Sequence, residues 1–198
     1  MWQVYINFSL LFILNILFLL QIKNIQKPML IIGVLGIAIT AFHLWSAYHF
    51  VFTKKNNQHV FHFLTPVQYS LLAYFYWTIL DKENIKKIIS ISIPVFWLVS
   101  FLISFYVQKF DSYNSYSLLL QNFLVTLWSL FYFGSLVRGD GVQQLEKNPV
   151  FYISAGIFFF SLSDFFIEGI MDYLIKVKNE DSLTLYYISE ILSFILYA

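Results

Sequence analysis

The sequence predicts an all-α, polytopic membrane protein, a seven-transmembrane-helix bundle, on three observations. Of 198 residues, 59% are hydrophobic and only 12% charged, against about 25% charged in ordinary soluble domains. Mean hydropathy is +0.70. Apolar runs long enough to cross a bilayer follow one another with short polar connectors, so residues 1–198 form a single membrane domain with no room for a soluble one. A net charge of +1, from 12 basic and 11 acidic residues, gives no electrostatic footprint for nucleic acid. The absence of cysteine removes disulfides, thiolate metal ligands and thiol nucleophiles.

The runs are Trp2 to Ile22, Met29 to Phe52, Val60 to Leu80, Ile88 to Val107, Ser115 to Val137, Pro149 to Met171 and Leu183 to Ala198. All but the last approach the roughly 20 residues that cross about 30 Å of hydrocarbon at 1.5 Å per residue. The seventh is shorter and ends without a flanking Lys or Arg, which points to a chain truncated at its C-terminus. Pro28 and Pro149 stand where helices begin, a place where the missing N–H costs nothing. Pro66 and Pro94 lie about two turns inside their runs, where a kink or a later helix start is expected.

Basic residues set the orientation. The first, third and fifth loops hold Lys23, Lys27, Lys82, Lys86, Lys87, Arg138 and Lys147; the other side holds Lys54, Lys55, Lys109, Lys176 and Lys178. Seven against five, with no basic residue before the first run, places the N-terminus outside. The same start lacks the charged n-region and cleavage site of a signal peptide.

Ionisable groups in hydrocarbon are costly and are the default functional candidates. Asp164 and Glu168 are four apart and share a helix face. His43, Gln68, Gln121 and Glu190 fall at a depth similar to theirs, in the half of the bilayer nearer loops two, four and six. These six are the predicted ligand-binding residues, lining a cavity open toward that side. The opposite half, rich in Leu, Ile and Phe, is expected to be closed. Glu168, Asp172, His49, His59 and His62 lie near helix ends, where reaching out to the headgroups is the competing expectation. Asn122 and the glutamines compete as interhelical hydrogen-bonding groups.

Catalytic and metal sites are not predicted. No helix face carries a paired His-x-x-x-His, and the last run lacks both the histidines of seven-helix zinc hydrolases and the lysine of retinal-binding rhodopsins. No cofactor is expected. Internal repeats are weak, the best being Pro66-Val67-Gln68-Tyr69 against Pro149-Val150-Phe151-Tyr152, and Gly33 and Gly36 are three apart rather than four.

Several strings carry a family likeness: Asn57-Gln58-His59-Val60-Phe61-His62, then Gln68 to Tyr76, Asn114-Ser115-Tyr116-Ser117, Ser129 to Phe133, and Asn148 to Gly156. In order and spacing, from about Phe42 to Phe166, these resemble a family of uncharacterised seven-helix membrane proteins of Bacteroidota. Some similar segments look like the membrane sensor portion ahead of a histidine kinase. The family pattern has glutamate where this chain has Gln68 and Gln121, and Gly-Asn at Ser163-Asp164. The resemblance implies fold and compartment but no activity.

The preferred reading is a sensory or ligand-binding module with an outward-facing polar pocket. Its partners are the lipid bilayer, a small-molecule ligand and a signalling partner or fused C-terminal domain. A small-solute or proton-coupled transporter and a membrane-embedded enzyme are the alternatives.

Overall fold

A computed structural model describes residues 2–54, 56–138, 147–177 and 188, and the side-chain surroundings of most of these from residue 9 onward. The described residues form six α-helices and no strand: α1 (Trp2–Gln21), α2 (Lys27–Thr53), α3 (Gln58–Ile79), α4 (Glu83–Tyr106), α5 (Ser115–Arg138) and α6 (Pro149–Val177). A 3-10 turn at Ile22–Asn24 follows α1. Four helices, α2, α4, α5 and the Pro149–Met171 part of α6, are long and apolar enough to cross a membrane. The expected seventh helix, 183–198, lies outside the described residues apart from position 188, which is helical.

Local signals explain the boundaries. Proline occupies the first turn of α2. Asn148 accepts the Val150 N–H through Oδ1 at 3.0 Å, capping α6 ahead of Pro149. Charged first turns extend α4 back to Glu83, five residues before its apolar run, with Glu83 3.7 Å from Lys86. Pro66 and Pro94 lie inside α3 and α4, so neither delays its helix as one expectation had it.

Contacts between helices give their order and direction. α1 meets α2 through Asn15 and Thr40, α2 meets α3 through His49 and His59, and α3 meets α4 through Ser70 and Trp97, in each case antiparallel. α3 and α5 run parallel, joined at Thr65 with Asn114 and at Tyr76 with Ser129. α6 returns against α5 at Asn122 with Asp164 and Phe133 with Phe151. Helix α3 therefore sits at the centre, touching α2, α4 and α5. One end of the bundle, here the upper end, carries residues 56–57 and connector 107–114; the lower end carries connectors 22–26 and 80–82, the end of α5 and the start of α6.

The distribution of side chains is inside-out relative to a water-soluble bundle. On α4, Ile88, Ile91, Val95, Leu98, Leu102 and Phe105 form an exposed stripe at three- and four-residue spacing, while Ser100 and Ser104 are buried. On α6, Phe159, Phe166 and Ile170 face outward and Ser154, Ser161, Asp164 and Glu168 face inward. Water drives apolar groups inward; hydrocarbon removes that drive and instead penalises unpaired polar groups. The main apolar core occupies the lower half, built by Tyr69, Phe75 and Tyr76 of α3, Ile89 and Phe96 of α4, Trp128 and Tyr132 of α5 and Ile157 of α6. Within it Tyr76 pairs with Ser129 at 2.7 Å and Tyr69 with Ser92 at 2.6 Å.

The α1–α2 interface depends on small residues. A Cβ on Gly33 would lie 2.0 Å from the Phe18 ring, and one on Gly36 would lie 3.2 Å from Asn15 Oδ1. Asn15 Nδ2 donates to Thr40 Oγ1 at 2.7 Å, and Thr40 passes its hydroxyl proton to the Gly36 carbonyl at 2.9 Å. Gly33→Val should displace Phe18 and lower stability by roughly 1–3 kcal/mol, the usual range for overpacking. Denaturation of the purified protein in micelles measures this; an unchanged unfolding midpoint would contradict the close α1–α2 approach.

Candidate functional site

Buried polar groups concentrate at the upper end, around the 107–114 connector. His62, in the second turn of α3, is fully buried. Its Nε2 lies 3.0 Å from the Ser112 carbonyl, which can only accept, so Nε2 carries the proton. Nδ1 lies 2.7 Å from Ser104 Oγ. Ser104 also points its hydroxyl at the Ser100 carbonyl, 2.9 Å away, so in the neutral ring one hydroxyl proton serves two acceptors. Ser100 Oγ continues to Ser117 Oγ of α5 at 3.1 Å.

The connector is folded onto the bundle. Gln108 donates to Ser115 Oγ at 2.7 Å and accepts the Tyr116 N–H at 3.2 Å, occupying a backbone donor in the first turn of α5. Phe110 packs against His62 with ring centroids 5.2 Å apart. Asn56 of the neighbouring connector donates to the Asp111 carbonyl. Asn114 reaches Thr65 Oγ1 at 3.0 Å and leaves its own Oδ1 buried without a donor.

The acidic residues stand beside this plug. Asp164 accepts from Asn122 Nδ2 at 2.8 Å. Glu168, one turn on, accepts from the Tyr113 hydroxyl at 2.5 Å through Oε1, while its buried Oε2 has no donor among the described residues. Gln121 of α5 is 5% exposed and its Oε1 is likewise unpartnered. Asn114 Oδ1, Gln121 Oε1 and Glu168 Oε2 are thus three buried acceptors at the upper end with no donor. Each costs about 1–3 kcal/mol if it stays unpaired. Among the described residues no group of three His, Asp or Glu side chains is placed to hold a metal ion.

Compared with known protein families, with curated proteins and with solved structures, the chain matches none.

Of the six predicted residues, Asp164, Glu168 and Gln121 are buried in the upper half, on the facing helices α6 and α5. Gln68 is half-buried on α3. His43 lies half-buried on α2, edge-on to Phe61 of α3 at 5.7 Å, on the α2–α3 side of the central helix. Glu190 lies outside the described residues. The expectation that Glu168 and His62 reach out to the headgroups is corrected: they are 3% and 0% exposed, because Tyr113 and Ser112 of the connector fold over them. Sequence reasoning missed Tyr113, Asn114, Ser104 and Gln108. Serines and a loop tyrosine carry no charge signal, and their relevance arises only when the connector turns inward.

Asn122 and Asp164 should couple energetically. A double-mutant cycle with Asn122→Leu and Asp164→Leu, read by unfolding in micelles, should give about 0.6–1.7 kcal/mol, the measured span for interhelical hydrogen bonds in membranes. Additive single effects would mean the bond is absent. Tyr113→Phe, which strips Glu168 of its donor, should destabilise more than Tyr106→Phe at the exposed end of α4.

Proposed function

We propose that the chain is a sensory or ligand-binding module of a bacterial cytoplasmic membrane, with the N-terminus and the upper end facing outward. The upper end takes a small polar or amphipathic ligand that is rich in hydrogen-bond donors. The observation that carries this is three buried acceptors without a donor in the upper half, Asn114 Oδ1, Gln121 Oε1 and Glu168 Oε2, the last one helix turn from Asp164. A site lined by acceptors and carboxylates selects ligands that bring N–H or O–H groups, since a matching donor recovers what each orphan acceptor forfeits. Amines fit this lining; carboxylates do not.

Two further features support the reading. Buried polar groups are concentrated in the upper half, around the 107–114 connector, while the lower half is a mainly apolar core in which the Tyr69 and Tyr76 hydroxyls pair with serines. That asymmetry favours a site opened to one side over a path through the bundle. The resemblance to seven-helix proteins of Bacteroidota, and to membrane segments ahead of histidine kinases, points the same way and assigns the output to a signalling partner or fused C-terminal domain. In this reading Gln68 and Glu190 are the further residues proposed for the lining, and His43, on the α2–α3 side of the central helix, stands apart from it.

Two measurements test it. Thermal unfolding in micelles with a panel of small amines, amino acids and dicarboxylates should show stabilisation by amine-bearing compounds only. Ten- to hundred-fold saturation raises stability by about 1.4–2.7 kcal/mol, and Glu168→Gln should abolish the gain. Stabilisation by dicarboxylates instead would refute the acceptor-site reading. Single cysteines introduced at Asn56 or Ser112 should react with an impermeant thiol reagent from outside intact cells, and one at Lys82 should not. The chain has no native cysteine to interfere.

A further inference from the structure

At the rim of the upper end, apart from the acceptor site, two histidines from different helices meet. His49 lies in the last turns of α2 and His59 in the first turn of α3. Their ring centroids are 4.6 Å apart with planes at 74°. Both are half-buried, so neither is sealed from solvent.

The Thr53 side chain orients one of the pair. Thr53 Oγ1 donates to the His49 carbonyl at 2.6 Å and also lies 3.2 Å from His49 Nδ1. With its proton engaged by the carbonyl, Thr53 Oγ1 receives the Nδ1–H of His49. The neutral ring is then left with a lone pair on Nε2. A hydrogen bond of this kind, made by the ring nitrogen that does not bind, fixes the tautomer and direction of an imidazole that binds metal.

We propose that His49 and His59 form a two-imidazole site for a divalent transition-metal ion of the Cu(II) or Ni(II) type. The ligand type selects that class, since imidazole nitrogen suits such ions better than hard cations. Two imidazoles bound at about 2.0 Å to one ion set their centroids roughly 4.5 Å apart at a 90° ligand angle and roughly 5.2 Å apart at the tetrahedral angle. The observed 4.6 Å lies within that range. Water would fill the remaining positions. Exposed Lys54, just beyond Thr53, disfavours hard cations held by charge alone and weighs less against an ion bound through nitrogen lone pairs. Asn57, just ahead of α3, ties the two helices together here, its Nδ2 donating to Ser46 Oγ of α2 at 2.6 Å.

The protein carries its own reporter. Trp45, exposed on α2, lies edge-on to His59 at 6.4 Å, close enough for a paramagnetic ion on the pair to quench it. The test is titration of the full, tag-free chain in micelles with Cu(II), followed by tryptophan fluorescence and by electron paramagnetic resonance. The expected result is saturable quenching at one ion per chain with a spectrum showing nitrogen coupling. Trp45→Phe should remove most of the quench and leave the spectrum intact. His49→Ala and His59→Ala should each weaken binding at least about tenfold, the low end of what removing even a group that only supports a ligand costs. His59→Gln, which keeps a polar side chain at the start of α3, separates loss of a ligand from loss of fold. Undiminished affinity in the His49 and His59 variants, or a copper spectrum without imidazole nitrogen, overturns the proposal.

Discussion

The structure depends on one constraint: polar groups placed in hydrocarbon must find their partners inside the protein. Helix α3 is where that constraint acts most strongly. It sits among α2, α4 and α5, and its side chains at His62, Thr65, Tyr69 and Tyr76 each bond to another part of the chain. A central helix turns little of its surface to lipid, here mainly Phe63 and Tyr74, and so tolerates such residues, and α3 is accordingly absent from the four helices apolar enough to cross a membrane on composition alone. Its neighbours carry the lipid-facing stripes instead, and their small hydroxyls turn inward to meet it.

The same constraint divides the bundle into unlike halves. In the lower half, aromatic and aliphatic side chains supply packing, and the Tyr69 and Tyr76 hydroxyls are capped by serines on facing helices. In the upper half the 107–114 connector replaces part of that packing with hydrogen bonds. It lends a carbonyl to His62, a hydroxyl to Glu168 and an amide to Thr65. A connector used this way couples α3, α4, α5 and α6, so a ligand that engages the acceptors beside it would act on four helices together.

The membrane class, the helix boundaries near Pro28 and Pro149, and the gathering of polar residues in one half were all legible in the sequence. Hydropathy and proline chemistry are local, and depth along a helix follows from counting residues at 1.5 Å each. Counting also put Asp164, Glu168 and Gln121 at one level, and they lie buried on facing helices α5 and α6. What counting does not supply is rotation about each helix axis and the path of the connectors. Hence His62 and Glu168 looked like residues reaching for headgroups, and His49 and His59, ten positions apart on separate helices, had no visible relation.

The tertiary structure alone decided that the 107–114 connector folds inward and which atoms it leaves without a donor. It also decided that α3 is central and that Gly33 and Gly36, though not at the usual four-residue spacing, bring α1 and α2 into close contact. The reason is one of range. Composition and periodicity fix what each segment needs from its solvent, whereas the choice of hydrogen-bond partner is settled among residues 40 to 60 positions apart, as with His62 and Ser104, Asn114 and Thr65, or Glu168 and Tyr113. Local sequence specified the demand for partners, and only the packed bundle determined which partner met it.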